Sequence, residues 1–549
     1  MPIQTISKQK VKKILGNLSD EDLDYKLNMA ELGVERIDEN QIDLEITPNR
    51  PDLLSTPGLI RYLQAYFKKP TIPNYQVQKP EKDFKVIIEK SVKKVRPYTA
   101  CAIVKNLQFS EEKINEIIDI QEKLHGSYGR NRKKLAIGIY PLEKITLPIT
   151  YLALPPEEIK FQPLEFPKEI NGRQILSQHP IGREYGDLLK DAEVFPIFKD
   201  ASGEILSMPP IINSEKTGKI TEQTKDVFIE CSGFQKEYLQ KTLNLIVTAL
   251  ADMGGKIYSM EIQDKAEGKH LSPNLEPEEM PFSSDNLNKT LGLELTEKEI
   301  KTYLEKMGIT TDKDTALIPP YRTDILHEVD LAEEVAIAYG FDNFQSEIPS
   351  ISTIGQESPE SILKRKLQEI LIGLNLLEIS TYHLSTKETQ YKKIGIKEFL
   401  NQMIEVKDSK TENNILRTSL LSQSIKTLSE NSDASYPQRI FEIGRIFSHD
   451  ENEETQIKEQ TNLCISLCHE KANFTELKQI LDYLARMLNI KYEIQETQHP
   501  SFIEGRCGSI IINNKPIGIL GEISPTIIRN NKIKMPTACL EINVENLTS

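Results

Sequence analysis

No apolar run in the 549 residues approaches the ~20 that a membrane-crossing helix needs. The opening stretch MPIQTISKQKVKKIL also lacks the apolar region of a signal peptide. Cysteine is scarce, with six scattered residues. Cys464 and Cys468 form a C-x3-C pair inside NLCISLCHE, but no second Cys or His pair at zinc spacing accompanies them, so buried thiols are expected. So few cysteines in so long a chain point to a reducing cytoplasm. A basic excess is missing too: 68 Lys and Arg face 82 Asp and Glu, a formal net charge of −14. That argues against a protein coated in nucleic acid, although local basic stretches could still touch RNA. Together these absences predict a soluble, intracellular protein.

At about 150 residues per domain the length allows three or four domains. Segments 68–83, 264–282 and 346–361 are rich in Pro, Ser or charge and read as linkers. They leave an N-terminal α+β domain over 1–85, a mixed domain over 86–265, a helical or winged module over 270–345 and an antiparallel α+β domain over 355–549. The expected class is α+β multidomain. Helices are announced by caps and stops. Ser19 precedes DEDLDYKLNM, with Gly33 beyond it. Thr296 and Glu299 form a capping box before an Ile300, Leu304, Met307 stripe that Gly308 stops. Ser358 and Pro359 open SPESILKRKLQEILIGLN. EISTYHL, RIFEIGRIF and LCISLC read as strands, and GSIIINNKPIGILG as a hairpin turning at Asn513–Asn514. TPNRPD reads as a turn in which Asn49 and Asp52 bond local backbone.

PPYRTDILHEVDLAEEVAIAYGFDN concentrates four carboxylates, Asp324, Asp330, Glu333 and Glu334, in eleven positions. On a helix over 325–340, Ile325, Val329, Ala332, Ala336 and Tyr339 gather on one side and the last three acids on the other. One reading is an amphipathic helix turning its acids to water. The other is a site for Mg²⁺, a hard cation that prefers oxygen ligands. Four carboxylates exceed what Mg²⁺ usually takes, so some would act through water or the site would face a positive partner.

These words, with ITPNRPDLLSTPGL, GRNRKKLAIGIY, MPPIINSEKTGKITEQTKDVFIE and RIFEIGRIF, closely resemble the phenylalanine–tRNA ligase beta subunit family in its archaeal and eukaryotic form. They fall in all four blocks. The resemblance implies that Asp324, Asp330, Glu333 and Glu334 are a magnesium-binding set shared with a catalytic alpha subunit. It implies that the C-terminal block has a class II aminoacyl-tRNA synthetase fold. Arg417 and Arg439 stand in strands like those of that fold's phosphate-gripping element. No arginine follows the Gly518 and Gly521 strand before Arg529, where the adenine-stacking one is expected. A catalytically silent domain is therefore expected, with Arg417 and Arg439 as buried or interfacial ion-pair members.

Phenylalanine and tyrosine differ by one hydroxyl, and an apolar pocket rejects the added hydroxyl by only about 10²-fold. The family places a corrective site for tyrosyl-tRNA(Phe) in the second block. Candidates are Asn213, Ser214, Thr221, Thr224, Asp226 and Glu230, each of which could equally be a turn or cap residue. The chain departs from the family pattern at Tyr140-Pro141, where His-Asp is expected, and at Cys231-Ser232-Gly233-Phe234, where a Thr-Gly-Thr-like ending is. GSYGRNRKK, with Arg130, Arg132, Lys133 and Lys134, is either a solvated basic loop or a contact for the tRNA acceptor end. The resemblance implies a cytoplasmic assembly of two alpha and two beta chains acting on tRNA(Phe), with ATP and phenylalanine at the partner's site. The alternatives are a free-standing paralogue that binds RNA or protein without catalysis, and a stand-alone hydrolase of mischarged tRNA.

Overall fold

The computed structural model describes residues 2–68, 73–351, 353–397 and 403–547. The chain divides into two compact units, Met1–Ile348 and Pro349–Ser549. It is a mixed α+β protein with several sheets. The expected linker over 68–83 lies partly outside the described residues. Its described part supplies the edge strand Val77–Gln78. The expected linker over 264–282 instead forms strands Gly268–Ser272 and Glu278–Pro281, because both find partners to satisfy their backbone groups.

In the first unit, strands Ile3–Ser7, Gln41–Glu45 and Gly33–Ile37 form a small antiparallel sheet. Two larger sheets follow. One has five strands, with Val227–Gly233 between Tyr98–Lys105 and Leu135–Pro141. The other has seven and includes Lys85–Ile88, Ile149–Leu154, Phe195–Lys199 and Met260–Asp264. Period-two alternation sorts the five-stranded sheet into two faces. Ala102, Val104, Ile137, Ile139, Val227 and Ile229 pack with helix Lys236–Asp252. Cys101, Ile103, Tyr140 and Phe228 pack against Val86, Ile149, Tyr151 and Ile262 of the seven-stranded sheet. Gly138 and Glu230 share that second face, so they lie between the sheets.

One core runs from Ile6 and Leu23 through Val104 and Leu250 to Met307 and Ile337. Three expected blocks thus fold as one unit. The module after residue 277 combines helices Ser284–Leu291, Glu297–Lys306 and Glu328–Tyr339 with a three-stranded sheet. The Thr296–Glu299 capping box forms as expected, and Gly308 takes a left-handed φ of 80°. After helix Asp20–Met29 the left-handed residue is Glu31, not Gly33, which instead begins a strand.

The second unit is built on a seven-stranded sheet, antiparallel except at its first pair. Helices Pro359–Gly373 and Phe474–Leu488 cover one face through Leu367, Leu371, Leu477 and Leu484. Helices Leu421–Glu430 and Pro525–Asn530 cover the other through Ile425, Leu428 and Ile527. The hairpin turns at Asn513 and Asn514, both left-handed as a two-residue turn requires. EISTYHL gives only the short strands Leu377–Glu378 and Leu384–Ser385. All six cysteines are buried free thiols.

Candidate functional site

The acidic helix starts later than its sequence suggests. It spans Glu328–Tyr339, with His327 and Asp330 forming a capping box. Asp330 Oδ2 accepts from the backbone amides of Leu326 and His327 at 2.7 and 2.8 Å. The face assignment also changes: Val329 is exposed and Glu334 is buried. The cause is Arg322, whose side chain is 1% exposed. Its Nε and Nη2 donate to Asp324 at 2.9 and 2.7 Å, and its Nη1 and Nη2 to Glu334 at 2.9 and 2.6 Å. Burial alone would raise the Asp324 carboxyl, but the guanidinium outweighs it and brings the group to about 2. Glu333 is exposed, with no hydrogen bond or ion pair among the described residues. Partial burial and the neighbouring Glu334, Asp330 and Asp324 charges hold its carboxyl above the usual range. Among the described residues no three His, Cys, Asp or Glu side chains gather where they could hold a metal ion. Asp324 and Glu334 surround a guanidinium and Asp330 serves the helix end, so a direct four-carboxylate cage for Mg²⁺ does not fit this arrangement.

The second site lies between the two large sheets. Glu230 is 2% exposed and Tyr140 fully buried. The Tyr140 hydroxyl stands 3.3 Å from Glu230 Oε1 and 3.3 Å from Asn213 Oδ1. Its single proton suits one acceptor, and a protonated Glu230 would donate back to the phenol oxygen. Burial pushes the Glu230 carboxyl up to about 8, even with the Arg96 charge pulling the other way. Of the other candidates, Ser214 is buried beside a short helical turn. Thr224 Oγ1 accepts from the Thr221 amide and donates to Glu143, and Asp226 accepts from the Asn106 amide. These four organise loops. Only Asn213 and Glu230 converge, and the residue joining them, Tyr140, stood in the sequence only as a departure from a pattern. The signal available was Gly138, a glycine inside a strand, which marks a close approach.

Glu230 carries a testable pH signature. It ionises near 4.3 in an unfolded chain and near 8 when folded, so the folded state holds the extra proton between those values. Its contribution is complete below about pH 4.3 and is lost as pH rises to about 8. Glu230→Gln is expected to flatten that decline and to exceed the wild type at pH 9 by on the order of 2 kcal/mol in urea unfolding. Superimposable pH profiles would contradict this.

In the basic loop the structure separates the four residues. Arg130 and Lys133 are exposed. Lys134 Nζ lies 4.8 Å above the Tyr238 ring. Arg132 is buried: it donates to the Ile211 carbonyl at 2.8 Å and to Glu122 at 3.0 Å, and stacks over Tyr185. Arg130, Asn131 and Arg132 are all left-handed, which lets Arg132 turn inward. Arg132 therefore braces the loop rather than offering a surface charge.

In the second unit a cleft of about 520 Å³ is lined by Thr381, His383, Arg417, Glu442 and Arg445. Arg417 donates to Glu442 at 2.7 Å, Thr381 Oγ1 at 2.8 Å and the Arg445 carbonyl at 2.7 Å. Arg439 is half-buried and pairs with Glu476 at 3.3 Å.

Three family models cover most of the chain: a B3/4 domain over 83–248, a tRNA synthetase B5 domain over 280–341, and a phenylalanyl tRNA synthetase beta chain CLM domain over 344–544. The phenylalanine–tRNA ligase beta subunit of Pyrococcus abyssi is 39% identical over 500 residues, covering 90% of this chain and 89% of that relative. The chain belongs to the phenylalanine–tRNA ligase beta subunit family. The member from Archaeoglobus fulgidus is 35% identical over 553 residues, covering 99% of this chain and 98% of its own. The crystal structure of an N-terminal fragment of the Pyrococcus horikoshii phenylalanyl-tRNA synthetase beta subunit is 37% identical, with a TM-score of 0.58 over 62% of this chain and 99% of that one. Within the family frame the acidic helix falls in the B5 match, the Glu230 slot in the B3/4 match and Arg417 in the CLM match.

Proposed function

We propose that this chain is the beta half of a phenylalanine–tRNA ligase. With an alpha subunit, two of each chain, it would attach phenylalanine to tRNA(Phe) in the cytoplasm at the expense of ATP. The observation carrying this reading is 39% identity to a named beta subunit across nine-tenths of both chains. Adenylate formation belongs to the partner. Arg417, the arginine best placed for an α-phosphate, is spent on Glu442, Thr381 and a backbone carbonyl. The second unit would then be a catalytically silent relative of the class II fold that serves as framework and partner surface. Co-expression with the alpha chain, followed by aminoacylation with and without this protein, tests the reading. Charging is expected only when both chains are present. Charging by this chain alone, or equal charging by alpha alone, overturns it.

Two finer roles follow. Arg130 and Lys133 would meet the phosphates of the tRNA acceptor end, while Arg132 holds their loop. Reversing both charges is expected to weaken tRNA(Phe) binding about tenfold or more at low salt and to reduce the slope of log K against log salt by about 2. An unchanged slope removes the contact. Magnesium is proposed in reduced form: Glu333, exposed in the middle of the helix and without a hydrogen bond or ion pair among the described residues, would hold the ion through water. Chelation with EDTA is then expected to leave the melting of the isolated chain unchanged, whereas loss of stability would place the ion inside the acid cluster.

The B3/4-type region is proposed to have the layout of an editing site, in which water would cleave a mischarged tyrosyl ester to tyrosine and the tRNA hydroxyl when the slot is open to it. Asn213 and Glu230 are the groups placed to read a hydroxyl there.

A further inference from the structure

The slot between the sheets has the chemistry of a phenol pocket, and a phenol is already in it. Gly138 pairs in register with Glu230 across the strand boundary. A Cβ on Gly138 would fall within 2.6 Å of Glu230 Oε1 and closer still to the Tyr140 hydroxyl. The missing side chain thus leaves a gap that the hydroxyl of Tyr140, two residues along the same strand face, fills. The ring stacks on Phe228 at 5.8 Å, and the hydroxyl reaches Asn213 and Glu230.

The lining has hydrogen-bonding capacity that the fold does not use. Thr217 Oγ1 is buried without a partner among the described residues, while Glu230 Oε2 and Ser207 Oγ are buried with only imperfect hydrogen bonds, Ser232 lying beside Glu230 and the Tyr140 hydroxyl beside Ser207. Ser207 pairs in register with Asn213, and Thr217 lies in the short helix that follows it. Most buried polar atoms are well paired, so three poorly satisfied ones around the Tyr140 hydroxyl mark a slot shaped for polar atoms rather than an apolar core.

We propose that Tyr140 is the resident occupant of this slot: the chain's own phenol fills the place a tyrosyl side chain would take, so tyrosyl esters are excluded from it. This rests on the editing-type reading of the region and changes its outcome. The wild-type assembly would charge tRNA(Phe) yet leave tyrosyl-tRNA(Phe) uncorrected.

The test uses the full chain with Tyr140→Gly, Tyr140→Phe and the wild type. p-Cresol is the tyrosine side chain as a free molecule, and toluene is its match without the hydroxyl. In thermal-shift and calorimetric titrations Tyr140→Gly is expected to bind p-cresol about tenfold more tightly than toluene, the difference one hydrogen-bonded hydroxyl makes. The wild type and Tyr140→Phe are expected to bind neither. Equal binding of both probes by Tyr140→Gly, or p-cresol binding by the wild type, overturns the proposal. Should Tyr140→Gly fail to fold, deacylation decides. The wild-type chain with its alpha partner is expected to hydrolyse tyrosyl-tRNA(Phe) no faster than buffer, and hydrolysis well above that rate overturns it. Phenylalanine charging by the same preparation separates the two claims. Charging together with tyrosyl hydrolysis sinks the resident phenol alone, whereas absent charging sinks the ligase reading.

Discussion

Arg322→Met is expected to destabilise the Met1–Ile348 unit by about 3–5 kcal/mol at pH 7. The substitution keeps most of the side-chain length and removes the guanidinium that is hydrogen-bonded to both carboxylates. Four hydrogen bonds disappear, and Asp324 and Glu334 are left facing each other with little access to water. Uncompensated buried charge is what makes breaking such a cluster costly, more than the strength of the pairs themselves. The pH dependence identifies the cause. In the wild type Asp324 stays ionised down to about 2, so its contribution is full above roughly pH 4 and is lost as pH falls toward 2. Without Arg322, burial pushes the Asp324 carboxyl up against only the weaker pull of Arg50 and a backbone hydrogen bond. The variant should then gain more stability than the wild type on acidification from pH 7 to pH 4. Adding Asp324→Asn and Glu334→Gln to Arg322→Met should recover much of the loss. Urea unfolding at pH 4 and pH 7 measures all three proteins. A single-variant cost under about 1 kcal/mol would mean that something other than Arg322 neutralises the acids.

The same residues show what was legible beforehand. The acidic stretch announced a helix and a charge cluster, since offsets of three and four put carboxylates together. What it did not announce was Arg322, because an arginine six residues before the helix has no fixed phase relative to it. Only the fold decides that it enters from below and draws Glu334 inward. Capping signals such as Ser19, Thr296–Glu299 and Ser358–Pro359 placed helix starts well, because the cap chemistry is local. Blocks were separated less well. The shared core from Ile6 to Ile337 depends on contacts distant in sequence, and no composition shift records them. The Glu230 slot was half legible. Glu230 and Asn213 stood among six polar candidates, but Tyr140 lies some 70 residues before Asn213 in sequence and meets it only when the two sheets close. The basic loop gave the reverse error: four adjacent charges look equivalent in sequence, yet left-handed backbone at Arg132 sends that one inside.

Arg417→Met is the corresponding test in the Pro349–Ser549 unit, with an expected loss of about 3–5 kcal/mol and no change in nucleotide binding. The Arg417 side chain is 2% exposed and Glu442 3%. Glu442 also accepts from the Thr381 hydroxyl at 2.8 Å, so guanidinium, carboxylate and hydroxyl form one closed set. Gly444 supports it: a Cβ there would run into the Arg417 guanidinium, which occupies the space its missing side chain leaves. An arginine that binds a triphosphate must keep its donors available, whereas Nε and Nη1 of Arg417 already have partners at hydrogen-bond distance. A double-mutant cycle of Arg417→Met with Glu442→Met is therefore expected to show the pair partly compensating. The double variant should be more stable than either single one, because neither charge is then left alone in the sheet. ATP with Mg²⁺ should shift the melting of neither the wild type nor Arg417→Met when the chain is studied without its alpha partner. If ATP instead stabilises the wild type and that stabilisation vanishes in Arg417→Met, then the arginine leaves Glu442 to meet a phosphate, and the silent role assigned to this sheet is wrong.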